Sequence, residues 1–553
     1  MLRKLGSLRL ALLAGLLILR MTVGTVAAEA VESGAAAAGD SQPGADLSAL
    51  SGASYAQKSE IIGRLAALHQ PGTKALLNAL LEGSVYSRQK DNKVFIATPA
   101  ADDTQFVLTD PLTGTAAGTG PADGFDRIGI NNSLRKVLRT AIAKLDLDSS
   151  DTAVRKAAVA NILHSLDESG VALLGERLKV ERDKGVKAEI QTGIALAALD
   201  STSTPQRLAA VDRLSQSLNP DVYNRLTALT DPGTESDAGV RTAAAAALRH
   251  IDSWRNFYGA VETLFFGLSL GSVLVLSAIG LAITFGVMGV INMAHGELMM
   301  LGAYTTYVMQ LIMPNHIGTS IVVAIPAAFL VSGVTGILIE RGIVRFLYGR
   351  PLETLLATFG LSLVLQQVVR DVFTANNRPV ISPSWLTGSL QINDALSITY
   401  NRLATILFML FVFGILSLVL NRTRLGLQVR AVAQNRSMAK AMGVRTDWVD
   451  ALTFGLGSGI AGVAGVALSQ LTNVGPNLGQ SYIVDSFMVV VFGGVGNLWG
   501  TLIGGMTLGV VNKILEPFAG AVLGKIIVLV CLILFIQRRP RGIFPQKGRA
   551  AEA

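Results

Sequence analysis

The sequence predicts an all-α protein: a polytopic inner-membrane helical bundle of about nine spans, preceded by an exported HEAT-like α-helical domain with a small β-hairpin. Three observations predict it. Half of the 553 residues are hydrophobic and only 16% are charged, with a mean hydropathy of +0.47, against roughly 25% charged in an ordinary soluble protein. Charge is also unevenly placed. Residues 1–258 hold 28 Lys/Arg and 28 Asp/Glu, residues 259–553 hold 19 and 11, so the net +8 sits where charge is rarest. Finally, the second half is a succession of long apolar runs. Basic residues between such runs follow the positive-inside rule, whereas a nucleic-acid surface needs them spread over a polar fold. No nucleic-acid partner is expected. The single cysteine, Cys531, rules out an intramolecular disulfide.

The first element is an address. Arg3 and Lys4 precede an apolar core from Leu10 to Leu19, and Val26-Ala27-Ala28 places small residues before Glu29. That pattern is a secretory signal over residues 1–28, its apolar core being too short to span a bilayer. Residues 29–54 are Ala/Gly/Ser-rich and are expected to be a flexible linker. Residues 55–258 form the exported domain. Within it Lys93 to Ala97 and Thr104 to Leu108 are β-type runs flanking a turn, which predicts the hairpin. Helices opened by Asp151 and Asp237 lie 86 residues apart, twice 43, inside the period of HEAT-type helical pairs. Each Asp suits an N-cap, and the domain is expected to be an interaction surface. His69, His164 and His250 are isolated, so no metal site is expected. Asp102-Asp103 sits at the hairpin turn, where Asp is common for backbone bonding.

Residues 259–545 form the membrane domain, with residues 546–553 as a cytoplasmic tail. Apolar runs fall near residues 262–290, 298–313, 319–339, 353–371, 403–420, 451–471, 483–497, 499–515 and 519–536. The seventh and eighth are short, which leaves eight spans as the alternative. Fourteen of the 19 basic residues lie in three clusters: Arg341 to Arg350, Arg422 to Arg445, and Arg538 to Arg549. Positive-inside makes all three cytoplasmic, and an exported start with an internal end needs an odd number of spans. Gly455 and Gly459, Gly496, Gly500 and Gly504, and Gly505 and Gly509 recur at four-residue spacing. Such spacing lets helix backbones approach closely in lipid. No Gly-x-x-x-x-Gly-Lys-Ser/Thr occurs, so no ATPase site, no other enzyme activity and no cofactor is expected.

The run Gly280 to Glu297, Gly-Leu-Ala-Ile-Thr-Phe-Gly-Val-Met-Gly-Val-Ile-Asn-Met-Ala-His-Gly-Glu, continuing to Gly302-Ala303-Tyr304, resembles the branched-chain amino-acid (LivH-like) ABC permease family. So does Arg430-Ala-Val-Ala-Gln-Asn435 through Ala439-Lys-Ala-Met-Gly-Val444. The exported extension, Glu353 to Gly360 and the ending Lys547-Gly548-Arg549 resemble the family's urea-importing branch. The resemblance implies a permease subunit of a bacterial inner-membrane importer. Its implied partners are a second permease subunit, two cytoplasmic ATPase subunits that bind the ATP, a periplasmic substrate-binding protein and membrane lipid. Urea is the expected solute. The alternatives are branched-chain amino acids, a receptor with an exported sensing domain, and a passive channel.

Polar residues inside a membrane point to a pathway. Asn292, His295, Glu297 and Asn473 are the candidate pathway residues, with Asp485 and Asn497 nearby in later spans. The alternative for Asn292 to Glu297 is an interfacial capping turn. Between the fifth and sixth spans, Ser437 can cap a short helix from Met438 to Met442, and Gly443 suits a left-handed stop. Thr446 can cap the next helix. This stretch resembles the family's coupling helix, which makes Ser437, Ala439, Ala441, Met442 and Gly443 candidates for contact with the ATPase. The alternative is an ordinary basic loop at the lipid headgroups.

Overall fold

A computed structural model describes residues 43–544 apart from 68–69, 71, 100–104 and 165. The expected signal peptide and the Asp102-Asp103 turn lie outside the described residues, as does the expected tail. The chain divides into two compact units, Met1–Ile190 and Gln191–Ala553.

The first unit opens with helices α1 (Pro43–Gly52), α2 (Tyr55–Ala67) and α3 (Thr73–Glu82). The expected linker is thus helical over its last part, and Leu47 and Leu50 are buried with Ile62, Leu65, Leu76 and Leu138. Strands β1 (Val85–Arg88), β2 (Val94–Pro99), β3 (Gln105–Thr109), β4 (Ala116–Pro121) and β5 (Phe125–Arg127) form one antiparallel sheet ordered β4-β3-β2-β1-β5. The expected hairpin is β2–β3, paired as Ala97 with Leu108. Three further strands extend it. All three escaped sequence reasoning: β1 is four residues long, β4 is Ala/Gly-rich and exposed, without alternation, and β5 is three residues long.

Helices α4 (Asn132–Leu147), α5 (Thr152–His164), α6 (Glu168–Val180) and α7 (Lys184–Ala198) follow. Asp151 caps α5 by accepting from Ala153 N at 2.8 Å, and Asp183 caps α7 through Gly185 and Val186. Between them lies a buried ionic knot. Glu181 Oε2 accepts from Arg155 and Arg177, both at 3.0 Å, while Oε1 accepts from the Arg182 and Asp183 amides at 2.9 Å. Burial pushes the Glu181 carboxyl up, but these amide and guanidinium donors outweigh it and leave it at about 2.

In the second unit α8 (Thr204–Leu214) and α9 (Pro220–Ala228) pack against the start of α10, a single helix from Ala238 to Met288. Asp237 caps it as expected, accepting from Gly239 and Val240. Its 51 residues extend about 76 Å at 1.5 Å each. Residues 258 and 259 lie within it, so the same helix that packs against α8 and α9 continues unbroken into the first apolar run. Arg207 pairs with Glu235, Arg255 lies over the Tyr223 ring, and His250 bonds to Ser215 O. These contacts fasten α8 and α9 to α10.

The remaining helices are α11 (His295–Ile312), α12 (Ile317–Gly342), α13 (Pro351–Phe373), α14 (Tyr400–Arg422), α15 (Arg424–Gln434), α16 (Arg436–Ala441), α17 (Thr446–Ser469), α18 (Leu478–Gly493) and α19 (Leu498–Arg538). A two-stranded ribbon, β6 (Ser389–Asn393) with β7 (Leu396–Thr399), precedes α14. Among the described residues six helices are long and apolar enough to cross a membrane: α10, α12, α13, α14, α17 and α19. Nine such helices were expected. The difference has local causes. The polar first turn of α11 dilutes its hydropathy, α18 has only 16 residues, and two expected spans share α19. Gly520, at φ 76° and ψ 165°, breaks α19 behind Pro517. A Cβ on Gly524 would touch Leu515 at 3.7 Å, a separation a straight helix cannot give over nine residues. The chain therefore doubles back there.

Helix α17 is the axis of the bundle, buried along nearly its whole length. Glycine makes this possible. A Cβ on Gly302 would stand 2.0 Å from Gly462 O, one on Gly280 2.2 Å from Gly457 O, and one on Gly509 2.3 Å from Gly271 N. Of the glycines expected at four-residue spacing, Gly500, Gly504 and Gly509 meet backbone, whereas Gly455, Gly459 and Gly505 make room for the side chains of Ile337, Phe329 and Val275.

Candidate functional site

Helix α10 ends at Gly289, in the left-handed region at φ 68°. The chain then runs without helix to Ala294, and α11 begins at His295. This turn is not at the end of the bundle. His295 is fully buried, and its Nε2 lies 2.9 Å from Ser277 O. Ser277 is eleven residues, or about 17 Å, back along α10. The start of α11 therefore lies alongside the interior of the apolar helix. A carbonyl only accepts, so Nε2 carries the proton of that bond.

Asn292 caps the turn: its Oδ1 accepts from Ala294 N at 3.0 Å. The turn is closed but the helix is not capped by it: Ala294 is the N-cap of α11 and no side chain caps that helix, while Asn292 is 1% exposed. Glu297 faces another way, toward α13. Its Oε1 accepts from Ser362 Oγ at 3.0 Å and from Gln366 Nε2 at 2.7 Å. Glu297 Oε2, Asn292 Nδ2 and His295 Nδ1 are buried without a protein partner. The structure thus separates two residues the sequence grouped: His295 bonds to α10, and Glu297 to α13.

Sequence reasoning missed the α13 contribution. Thr354, Thr358, Ser362 and Gln366 recur every fourth residue and are all buried, and Arg370 continues the row to bond Asn477 at 2.8 Å. Thr358 Oγ1 accepts from Met293 N at 3.1 Å. The opposite face, with Leu352, Leu356, Leu363 and Val372, is exposed. The signal was legible as a four-residue polar period in an apolar run. Across the seam the first turn of α18 meets that of α11, where a Cβ on Gly479 would stand 2.0 Å from Gly296 O.

Asn473 is exposed in the α17–α18 connection and is not joined to Glu297 by any described bond. Asp485 pairs with Lys525 at 3.0 Å. Asn497 caps α19 through Gly500 N and donates to Phe544 O, which makes it a structural residue.

The α14–α17 connection holds two short helices, where one was expected. Asn435, and not Ser437, caps α16, accepting from Met438 N at 2.9 Å. The reason is that α15 runs to Gln434, so one extended residue, Asn435, must both stop it and start α16. Gly443 takes φ 85° as expected. Thr446 opens α17, but Arg445 occupies the cap position and no side chain caps it. Ser437, Ala441, Met442 and Gly443 are exposed, together with Met438, whereas Ala439 is buried against Val429, Val432 and Val449. Arg436 anchors α16 by pairing with Asp450 on α17 and lying over the Tyr348 ring.

The family described as branched-chain amino acid transport system, permease component, matches residues 263–536. The LivH high-affinity branched-chain amino acid transport permease of Salmonella typhimurium is 32% identical over 294 residues, 51% of this chain and 94% of its own. The BraD permease of Pseudomonas aeruginosa is 30% identical over 297 residues, 52% and 96% of the two chains. The ribose import permease RbsC of Escherichia coli is 26% identical over 270 residues, 47% and 78%. No solved structure matches the chain.

Proposed function

The chain belongs to the branched-chain amino acid transport permease family, and from that premise we propose that it forms the pathway of an ATP-driven importer for a small polar solute, urea foremost. One observation carries the solute: the buried row Thr358, Ser362 and Gln366, of which Ser362 and Gln366 bond Glu297 and Thr358 bonds the Met293 amide. Neutral hydrogen-bonding groups at membrane depth suit a small neutral solute rich in donors and acceptors. In this reading residues 29–258 are exported, and their helices stack in the HEAT manner as a surface for a substrate-binding protein. The three basic clusters are cytoplasmic. One of two ATPase subunits docks on α16, and a second permease subunit completes the pathway. The second reading, branched-chain amino acid import, is favoured by the names of the relatives.

ATP-driven uptake of labelled urea and labelled leucine into proteoliposomes holding the whole complex separates the two. Glu297→Leu should abolish uptake while subunits still co-purify, and Glu297→Gln should retain part of it. Leucine uptake without urea uptake selects the second reading. Normal transport by the leucine variant reduces the Asn292–Glu297 segment to a structural turn.

A further inference from the structure

Glu297, Ser362 and Gln366 have used all their donors on one another. The Ser362 hydroxyl donates to Glu297 Oε1, and the Gln366 amide donates both to Glu297 Oε1 and, at 3.3 Å, to Ser362 Oγ. A hydroxyl has one proton to give and a primary amide two, and an ionised carboxylate has none, so with Glu297 ionised none is left. What remains is acceptor capacity. Glu297 Oε2 is buried with no partner, and Gln366 Oε1 is turned from the carboxylate because its own amide nitrogen faces it. An acceptor buried unpaired is costly, a cost that a visiting donor would remove.

We propose that Ser362 and Gln366 are positioning residues that hold Glu297 as an acceptor-only site, so that the membrane pathway itself selects solutes by their N–H donors. Ureas and primary amides fit; fully N-substituted ureas of the same carbonyl chemistry do not. This deepens the reading of the seam as a solute pathway and rests on it. Ser362 and Gln366 act through Glu297, and Glu297 is the group that meets the solute.

The test is infrared difference spectroscopy on the whole complex in proteoliposomes, with the Glu297 carboxyl band identified by its loss in Glu297→Gln. The probes are urea and tetramethylurea at millimolar concentration, with four N–H bonds and none. Urea should shift the band and tetramethylurea should not. Gln366→Leu should move the band before any solute is added and lower uptake at least tenfold. In the Glu297→Gln background the same substitution should lower uptake less than twofold, since the partner it positions is gone. A band silent to urea, or responding alike to both probes, overturns the proposal. So does a tenfold loss in both backgrounds, the mark of a purely structural residue. Failure of the transport reading shows separately, as a wild-type complex that takes up neither urea nor leucine. The band is read without transport.

Discussion

Glu181 and Glu297 are both buried carboxylates, and their surroundings give them different work. Glu181 is enclosed by two guanidinium groups and two backbone amides, which hold it at about 2 against an ordinary 4.5. A depressed folded-state value adds stability above the unfolded value, and that stability is lost as pH falls from about 4.5 toward 2. Glu181→Gln leaves buried Arg155 without a carboxylate partner and Arg177 with Asp148 alone, at a cost of roughly 3 kcal/mol. Hydrogen exchange in α5 and α6 should therefore quicken about a hundredfold at pH 7, and wild type should approach the variant below pH 3. Equal protection at neutral pH would show that the knot contributes nothing. Glu297 has only neutral neighbours on one oxygen and nothing on the other. That is the difference between a structural carboxylate and one with capacity to bind. Glu297 was legible in the sequence as a charge beside an apolar run, but its partners 65 and 69 residues away were not.

Two elements set the mechanical expectations. Helix α16 is short and wedged between α15 and α17, pinned by Arg436 to Asp450, and ends at Gly443 in the left-handed region. A β-branched residue there is strained by about 1 kcal/mol or more, and nothing stands near its Cβ to add to that. Gly443→Val and Ala441→Asp should each lower substrate-stimulated ATP hydrolysis in the reconstituted complex while subunits still co-purify. Wild-type hydrolysis and uptake in both variants would remove this stretch as the coupling element. Helix α10 is the second. It carries α8 and α9 on its first turns and delivers the Gly289–Ala294 turn at its far end without a break. Four Gly/Ser residues inserted after Asn256 would uncouple these ends, since such an insert behaves as flexible coil. Stimulation of hydrolysis by the substrate-binding protein should fall at least by half, with basal hydrolysis unchanged. Full stimulation would show that α10 transmits nothing.

At the scale of the molecule the open quantity is orientation. Cysteines placed one at a time at Ala238 and Ser437, in a Cys531→Ser background, should label oppositely. Ala238 should react with an impermeant thiol reagent from outside, and Ser437 only after the membrane is opened. The reverse pattern would sink the positive-inside assignment. The bundle built between these points relies on glycine more than on apolar bulk, because lipid supplies no hydrophobic force between helices. Gly302→Val should thus prevent assembly outright, whereas an exposed helix glycine with open space around it, such as Gly414 in α14, should tolerate alanine.

The apolar runs, the basic clusters, the Asp caps of α5 and α10, the β2–β3 hairpin and the left-handed Gly443 follow from sequence alone, because each depends on neighbours within a few residues. Hydropathy, capping and turn chemistry are local. Tertiary structure decided what depends on distant partners. It brought Ser362 and Gln366 to Glu297, turned His295 to Ser277, made Asn435 the cap of α16 and buried Ala439. It also folded two expected spans back at Gly520 within one helix. A hydropathy run states that a segment prefers lipid or protein interior, but not which face meets which neighbour. Close glycine contacts settle that, at separations where one added methyl group would collide.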